Sequence, residues 1–144
     1  MAVIKTLGLD VSVVINGKSV PEHDDLKPDL DLNRKHPGTK VVHKYIESED
    51  DLEYSVRCKV LPDHRWLPNR KGNMLEFAVV IDGELQHTKC ISFDAWDKKK
   101  GASTNVRGVP TYTDRHHGTL SRFTFSSVNA GEGRLFSRSR EDFN

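Results

Sequence analysis

The sequence predicts an all-β fold: an antiparallel β-sandwich of seven or eight short strands, of the jelly-roll or immunoglobulin-like type. Three segments alternate apolar and polar side chains with a period of two, the pattern of a strand with one buried face. They are Leu7–Ile15, Leu52–Val60 and Leu75–Ile81. The first and third are followed by Asn-Gly or Asp-Gly, pairs that tolerate the positive φ angles of tight hairpin turns. Such short, evenly spaced strands favour a sandwich over an α/β fold.

The first hairpin is the clearest local prediction. The odd positions of Leu7–Ile15 are apolar and most positions between them are small or polar, so we expect a buried odd face and a wet even face. Asn16 and Gly17 then predict a type I′ turn. Lys18–Val20 is expected to start a short return strand, which Pro21 ends because proline lacks a ladder donor.

The segment after this hairpin lacks a sustained period. Glu22–Gly38 contains two prolines and five acidic residues, which predicts a long exposed loop. Val41–Glu47 resumes a β-rich run, and Ser48–Asp51 is expected to form an acidic turn.

The second half contains a further hairpin and a last strand. We expect Leu75–Ile81 to form a strand with its odd residues inward. Asp82-Gly83 predicts a hairpin turn, and Glu84–Phe93 is expected to form the second strand of the hairpin. Asp94–Gly118 is polar and basic with only scattered β-forming residues, and no strand is predicted there. Thr119–Phe125 is the last predicted strand, with both of its phenylalanines inward. We expect one sandwich domain at residues 1–128 and a flexible polar tail at 129–144.

Composition restricts the protein's class. With 144 residues, 30% of them charged and 35% apolar, the chain suits one domain with its own core. Its formal net charge of +1 argues against a strongly basic nucleic-acid binder. The N-terminus lacks the apolar stretch of a signal peptide, and no apolar run is long enough for a membrane span. These features predict a cytoplasmic or nuclear protein.

Two cysteines are too few for a disulfide scaffold. Cys58 and Cys90 both fall in predicted strands. A bridge between the sheets is one reading, and two small buried thiols are the other and the expected one.

A basic stretch is the main candidate binding site. Cations interleaved with aromatic rings are typical of surfaces for single-stranded nucleic acid, where charge follows the phosphates and rings stack on bases. The same surface would suit an acidic protein partner, and a solvated loop with its indole packed inward is the plainer reading. The candidate residues are Trp96, Lys98, Lys99, Lys100, Arg107, Tyr112, Arg115, His116 and His117.

An acidic segment offers a weaker calcium site. Oxygen ligands at alternate positions resemble the start of an EF-hand loop, and the set would be Asp24, Asp25, Asp29 and Asp31. Arg34 stands where that loop needs a glycine, and Lys40 stands where it needs a glutamate. A solvated acidic loop is therefore the preferred interpretation, and no cofactor is predicted.

Catalytic motifs are missing from the sequence. We find no Gly-x-Ser-x-Gly elbow, no Cys/His signature and no glycine loop that would cradle a phosphate. The seven histidines are dispersed, and the adjacent pair His116 and His117 would point to opposite faces of a strand. A non-enzymatic protein is expected.

The order of short motifs resembles a family of intracellular fungal β-rich domains of unknown function. The resemblance rests on Gly8–Lys18, Pro21–Asp25, Lys44–Glu47, the strand Tyr54–Leu61 and the pair Asp82-Gly83. It implies a β-rich intracellular domain and transfers no functional residue.

The preferred function is a protein-interaction module. Because a sandwich leaves open strand edges, it could self-associate through Lys18–Val20 or Val41–Glu47. The alternatives are nucleic-acid or chromatin binding through the basic stretch, and a glycan- or lipid-binding sandwich with or without calcium.

Overall fold

The structure is a computed structural model, and it describes residues 2–4, 7–26, 38–62, 72–92, 99–114, 117–126 and 140–143. The protein is all-β, its sheets are antiparallel, and their arrangement is sandwich-like. Among the described residues, no helix has the length and apolar character needed to span a membrane.

Twelve strands occur in the described residues. In chain order they are β1 (Ala2–Ile4), β2 (Leu9–Ile15), β3 (Lys18–Ser19), β4 (Glu22–Asp24), β5 (Lys44–Ile46), β6 (Glu53–Val60), β7 (Met74–Ile81), β8 (Glu84–Ser92), β9 (Ala102–Val106), β10 (Gly108–Tyr112), β11 (Gly118–Thr124) and β12 (Arg140–Phe143).

Strands β2 and β6 form the centre of the main sheet. They pair over six residues, with Val11 opposite Cys58 and Val13 opposite Val56. β1 and β3 both pair with β2, and β9 pairs with the C-terminal part of β6. Residues opposite each other in an antiparallel pair share a face, so these four side chains lie together.

The chain bends sharply between β9 and β10. Arg107 alone separates the two strands, and its carbonyl accepts a hydrogen bond from the Phe123 amide at 3.2 Å. β10 then pairs with β11, which also pairs with β12 and, through Phe123 opposite Tyr54, with the start of β6. The segment from β9 to β10 therefore pairs first with β6 and then, after Arg107, with β11.

Strands β7 and β8 form a separate hairpin that packs on the main sheet. Val79 of β7 joins Val106 and Phe123 in the buried core, with Tyr54 and Val56 packed against them. A second two-stranded ribbon, β4 with β5, replaces part of the long loop expected at residues 22–38. Residues 27–37 of that loop lie outside the described residues.

Both predicted hairpin turns are confirmed. Asn16 and Gly17 have φ angles of 50° and 77°, and Asp82 and Gly83 have 52° and 81°. Two successive positive φ angles define the type I′ turn. Each turn joins a directly paired residue couple, as in Ile15 opposite Lys18.

The expectation of a wet even face on β2 is wrong. Asp10 is 6% exposed and Ser12 is 2% exposed, whereas the apolar odd positions are only partly buried. Alternation correctly separates the two faces, but it does not say what covers each one. On β7, by contrast, the odd residues are the more buried set, as predicted.

Two further expectations, on the strands and on the cysteines, are corrected. Strands β9 and β10 form within the polar segment 94–118, where no strand was predicted, and they add to the seven or eight expected. Both cysteines are free, but only Cys58 is buried and Cys90 is exposed. The expected tail, residues 129–144, contains β12, which pairs with β11. Trp66 and residues 129–139 lie outside the described residues.

Candidate functional site

The β7–β8 hairpin exposes an apolar surface on the side that faces away from the core. Met74, Val80 and Leu85 are 66%, 57% and 62% exposed, and Val80 lies directly opposite Leu85. Ala78 and Cys90 are exposed on the same side. We call these five residues the apolar stripe.

The sequence of β7 explains why both sides of the hairpin are apolar. Met-Leu-Glu-Phe-Ala-Val-Val-Ile has only one charged residue, Glu76, so its even positions are nearly as apolar as its odd ones. Runs of this kind are typical of strands that are buried on both faces. Here the odd residues reach the core while the even ones meet solvent. The even positions of β7 therefore indicated a second apolar side, whereas the prediction concerned only the odd positions.

Charges of opposite sign lie at the two ends of the hairpin. Asp82 and Glu84 are exposed at its turn. At its open end, Met74 and Ser92 line a common cleft with Gly101, which directly follows the exposed Lys99 and Lys100. Met74 and Ile81, the first and last residues of β7, are seven steps of about 3.4 Å apart, so about 24 Å separates the two ends of the hairpin.

The five predicted binding residues that the structure describes lie at separate places along β9, β10 and the loop that follows. Lys99 and Lys100 precede β9, Arg107 lies at the bend, and Tyr112 ends β10. A strand rise of about 3.3 Å per residue places Arg107 and Tyr112 about 16 Å apart. Tyr112 is 69% exposed, as a base-stacking ring would be. Trp96, Lys98, Arg115 and His116 lie outside the described residues.

His117, another of the predicted residues, closes the loop between β10 and β11. Its Nδ1 lies 3.0 Å from an Asp114 carboxylate oxygen, and its amide donates to the other oxygen at 2.9 Å. Its carbonyl accepts from the Thr113 amide at 3.0 Å and from the Thr113 hydroxyl at 3.1 Å. These hydrogen bonds connect the two ends of the five-residue turn from Thr113 to His117. They also account for the positions of the Asp114 and His117 side chains.

The acidic segment contributes one ion pair. The Lys44 ammonium donates to Asp24 across the β4–β5 ribbon, and this hydrogen bond with the Lys44 charge holds the pKa of Asp24 below its usual range. That carboxylate is therefore already used by a protein cation. Asp25 is half-buried, while Asp29 and Asp31 lie outside the described residues. No group of three or more metal-ligating side chains occurs among the residues the structure describes.

A polar face of the main sheet was missed by sequence reasoning. The Arg57 guanidinium donates to the hydroxyls of Ser12, at 3.3 Å, and Ser19. Asp10, opposite Lys59, has a buried carboxylate oxygen that finds no hydrogen-bond partner among the residues the structure describes. The sequence shows small polar residues on β2 and cations on β6, and the even face of β2 was expected to meet solvent. In the structure these two sets of residues lie opposite each other.

A cleft of about 390 Å³, which we call the interlayer cleft, lies between the main sheet and the β7–β8 hairpin. Val11, Val13 and Val56 line it on the sheet side, and Phe77 lines it on the hairpin side. Ligand pockets commonly have volumes of about 300–1,000 Å³ and mainly apolar walls. The cleft is therefore large enough for a small ligand.

The polar groups of the interlayer cleft are held neutral. Burial raises the pKa of the Cys58 thiol to about 11. Burial, with a smaller contribution from the Asp82 charge, also raises the pKa of Tyr54. The Tyr54 ring stacks on Phe123 and Phe125 at centroid distances of 5.5 and 4.3 Å. Both groups therefore stay protonated at neutral pH.

The interlayer cleft is open to solvent, and its mainly apolar walls offer water few hydrogen-bond partners.

Comparison with known proteins identifies the family. A search of curated proteins and a search of solved structures gave no significant match. A family model described as Domain of unknown function (DUF7918) matches residues 8–144. Because this match covers nearly the whole chain, the protein belongs to the DUF7918 family of domains of unknown function.

Proposed function

We propose that this protein is a non-enzymatic interaction module that self-associates through the apolar stripe of the β7–β8 hairpin. The observation that carries the proposal is the pair Val80 and Leu85, which lie opposite each other and are 57% and 62% exposed. Exposed apolar residues grouped on one side of a hairpin are typical of protein interaction sites. Glu76, opposite Cys90, lies on the same side and separates Met74 from Ala78. As part of the same proposal, and following the family resemblance, the protein acts in the cytoplasm or nucleus of a fungal cell.

The geometry of β7 favours a partner on its outer side. The strand is apolar on both faces, and the core covers only one of them. Covering the other face would remove Val80 and Leu85 from water, at about 25 cal/mol per Å² of apolar area. β7 also pairs only with β8 among the described residues, so its second edge is available to another strand.

Charge complementarity favours a second copy of the chain as the partner. In a two-fold dimer the same surface occurs on both subunits, and antiparallel hairpins would place each acidic end beside the other's basic end. Glu84 and Asp82 of one copy would then approach Lys99 and Lys100 of the other. Such paired charges set orientation and speed of association more than they add affinity.

Sedimentation velocity over a range of protein concentrations tests the proposal. We expect the wild-type mass to rise with concentration and Leu85→Lys to remain a monomer. Leu26→Lys is the matched control, because Leu26 is 92% exposed and lies outside the hairpin. A wild-type protein that stays monomeric, or equal effects of the two substitutions, would contradict the proposal.

A charge exchange tests the orientation of the dimer. Lys100→Glu should weaken association because it places a carboxylate opposite Glu84, and adding Glu84→Lys to it should restore association. Lys40→Glu is the control, because this exposed cation lies outside the β7–β8 hairpin and outside the edge segments Lys18–Val20 and Val41–Glu47. If the double variant associates no better than Lys100→Glu, the antiparallel arrangement is wrong.

Nucleic-acid binding is the second candidate, and the 69% exposure of Tyr112 supports it. In that case, affinity for single-stranded oligonucleotide should fall steeply with salt and should drop for Lys99→Ala with Lys100→Ala. A fluorescence-anisotropy titration measures both effects. Binding that is absent or insensitive to salt removes this candidate without affecting self-association.

A further inference from the structure

We propose that the interlayer cleft binds a small uncharged molecule with an apolar body, of the class of a medium-chain alcohol. Ala78 and Val80 of the apolar stripe also line the interlayer cleft, whereas Leu85 does not. The two proposals therefore share one edge of the hairpin, and Leu85→Lys distinguishes them because it changes the stripe without changing a lining residue.

The burial pattern of the main sheet points to an occupant. Val11 and Val13 belong to the all-apolar odd side of β2, yet they are less buried than Asp10, Ser12 and Val14 on the even side. In a filled sandwich the apolar face is the one removed from water. Here that face borders the interlayer cleft, where Val13 lies beside its cross-strand partner Val56. An apolar molecule would complete the burial that the chain leaves unfinished.

The lining chemistry specifies an uncharged ligand. Among the described residues that line the cleft there is no acidic, basic or histidine side chain. A carboxylate or ammonium group would lose its hydration there without gaining a counter-charge. The Tyr54 hydroxyl and the Cys58 thiol are neutral groups on the wall, suited at most to one hydrogen bond with an alcohol or carbonyl.

Size and shape restrict the ligand further. The volume of about 390 Å³ is near the lower end for ligand pockets. Phe125, stacked on Tyr54 at 4.3 Å, and Ile46 of β5 form part of the wall. Aromatic and branched aliphatic walls of this kind suit one alkyl chain or one flat ring system.

Displacement of Nile red, an uncharged apolar fluorophore, tests the inference on the wild-type protein. We expect saturable binding of one probe per chain and displacement by 1-decanol. Decanoate and decylammonium have the same chain with a charge, and we expect them to compete at least tenfold less well. Non-saturable binding, or equal competition by all three compounds, would overturn the proposal.

Substitutions locate the site. Val13→Phe should fill the interlayer cleft and weaken probe binding at least tenfold, while the folded β spectrum is kept. Val42→Phe is the matched control, because Val42 is 40% exposed and does not line the cleft. Leu85→Lys should bind the probe as the wild type does. Equal binding by Val13→Phe and Val42→Phe would place the probe elsewhere and refute the proposal, and the charge series remains decisive if Val13→Phe does not fold.

Discussion

Two glycines where strands approach each other closely give the sharpest test of the fold. A Cβ added at Gly108 would lie 2.1 Å from the Ser121 carbonyl oxygen, and one at Gly101 would lie 2.1 Å from the Val60 carbonyl oxygen. Gly101 also has a φ of +74°. Gly17 has a similar φ of +77° but open space around its Cα. Alanine at the three positions therefore separates steric overlap from backbone strain.

The expected costs follow from these distances. Gly17→Ala should lower the free energy of unfolding by about 1–2 kcal/mol, the cost of a left-handed conformation for an L-residue. At Gly108, ordinary contact begins at 3.4 Å, so β10 and β11 would have to separate by about 1.3 Å. That movement breaks two or three ladder hydrogen bonds at about 1 kcal/mol each. We therefore expect a loss of about 3 kcal/mol for Gly108→Ala and about 4 kcal/mol or more for Gly101→Ala.

Urea unfolding followed by far-ultraviolet circular dichroism measures these differences. The variants should be made in the Leu85→Lys background, so that association does not contribute to the free energy. A loss for Gly108→Ala no larger than that for Gly17→Ala would refute the close approach of β10 and β11. The bend at Arg107 would then be wrong as well.

Four further outcomes are expected. Val106→Ala, at a side chain that is 1% exposed, should lower the free energy of unfolding by about 2 kcal/mol in the same urea assay, whereas Val42→Ala should change it by less than about 0.5 kcal/mol. Cys90 should react with a thiol reagent in the folded protein, and Cys58 only after unfolding. Burial raises the pKa of the Cys58 thiol from its ordinary value of 9.0 to about 11, so the unfolded chain loses this proton at a lower pH than the folded one. Stability should therefore fall between pH 9 and pH 11, and Cys58→Ala should remove the contribution of Cys58 to that fall, which is at most about 1.4 kcal/mol per pH unit. Asp10→Asn should raise the melting temperature at neutral pH, because it replaces a buried carboxylate oxygen that has no partner among the described residues; a lower melting temperature would show that the charge is needed.

Local chemistry was sufficient to predict the hairpins. Asn16-Gly17 and Asp82-Gly83 adopt positive φ angles because asparagine, aspartate and glycine tolerate them, whatever the rest of the chain does. The inward side of β7 also followed from alternation, since its odd residues are the larger apolar ones. These features depend on residues within a few positions of each other.

The candidate sites could be predicted only in part. Lys99, Lys100 and Tyr112 are exposed as a binding surface requires, but the extended path of β9 and β10 separates them. The apolar residues of the stripe on β7 could be identified from the even positions of that strand. Their exposure could not be predicted, because it depends on which side of the hairpin packs on the core. Opposition of Val80 and Leu85 also depends on the register shift after Val79.

The sequence by itself determined an all-β chain, its two type I′ turns and the division of each strong strand into two faces, because side-chain direction alternates along any extended backbone. Tertiary structure alone decided which of those faces is covered, so the polar side of β2 is buried and an apolar side of the hairpin is left in water. It also made strands of Ala102–Val106 and Gly108–Tyr112, where Gly108 and Pro110 argue locally against a strand. β9 takes its hydrogen bonds from β6, which is distant in sequence, and no local pattern encodes a partner that only the folded chain brings near. β10 then forms a hairpin with the neighbouring β11.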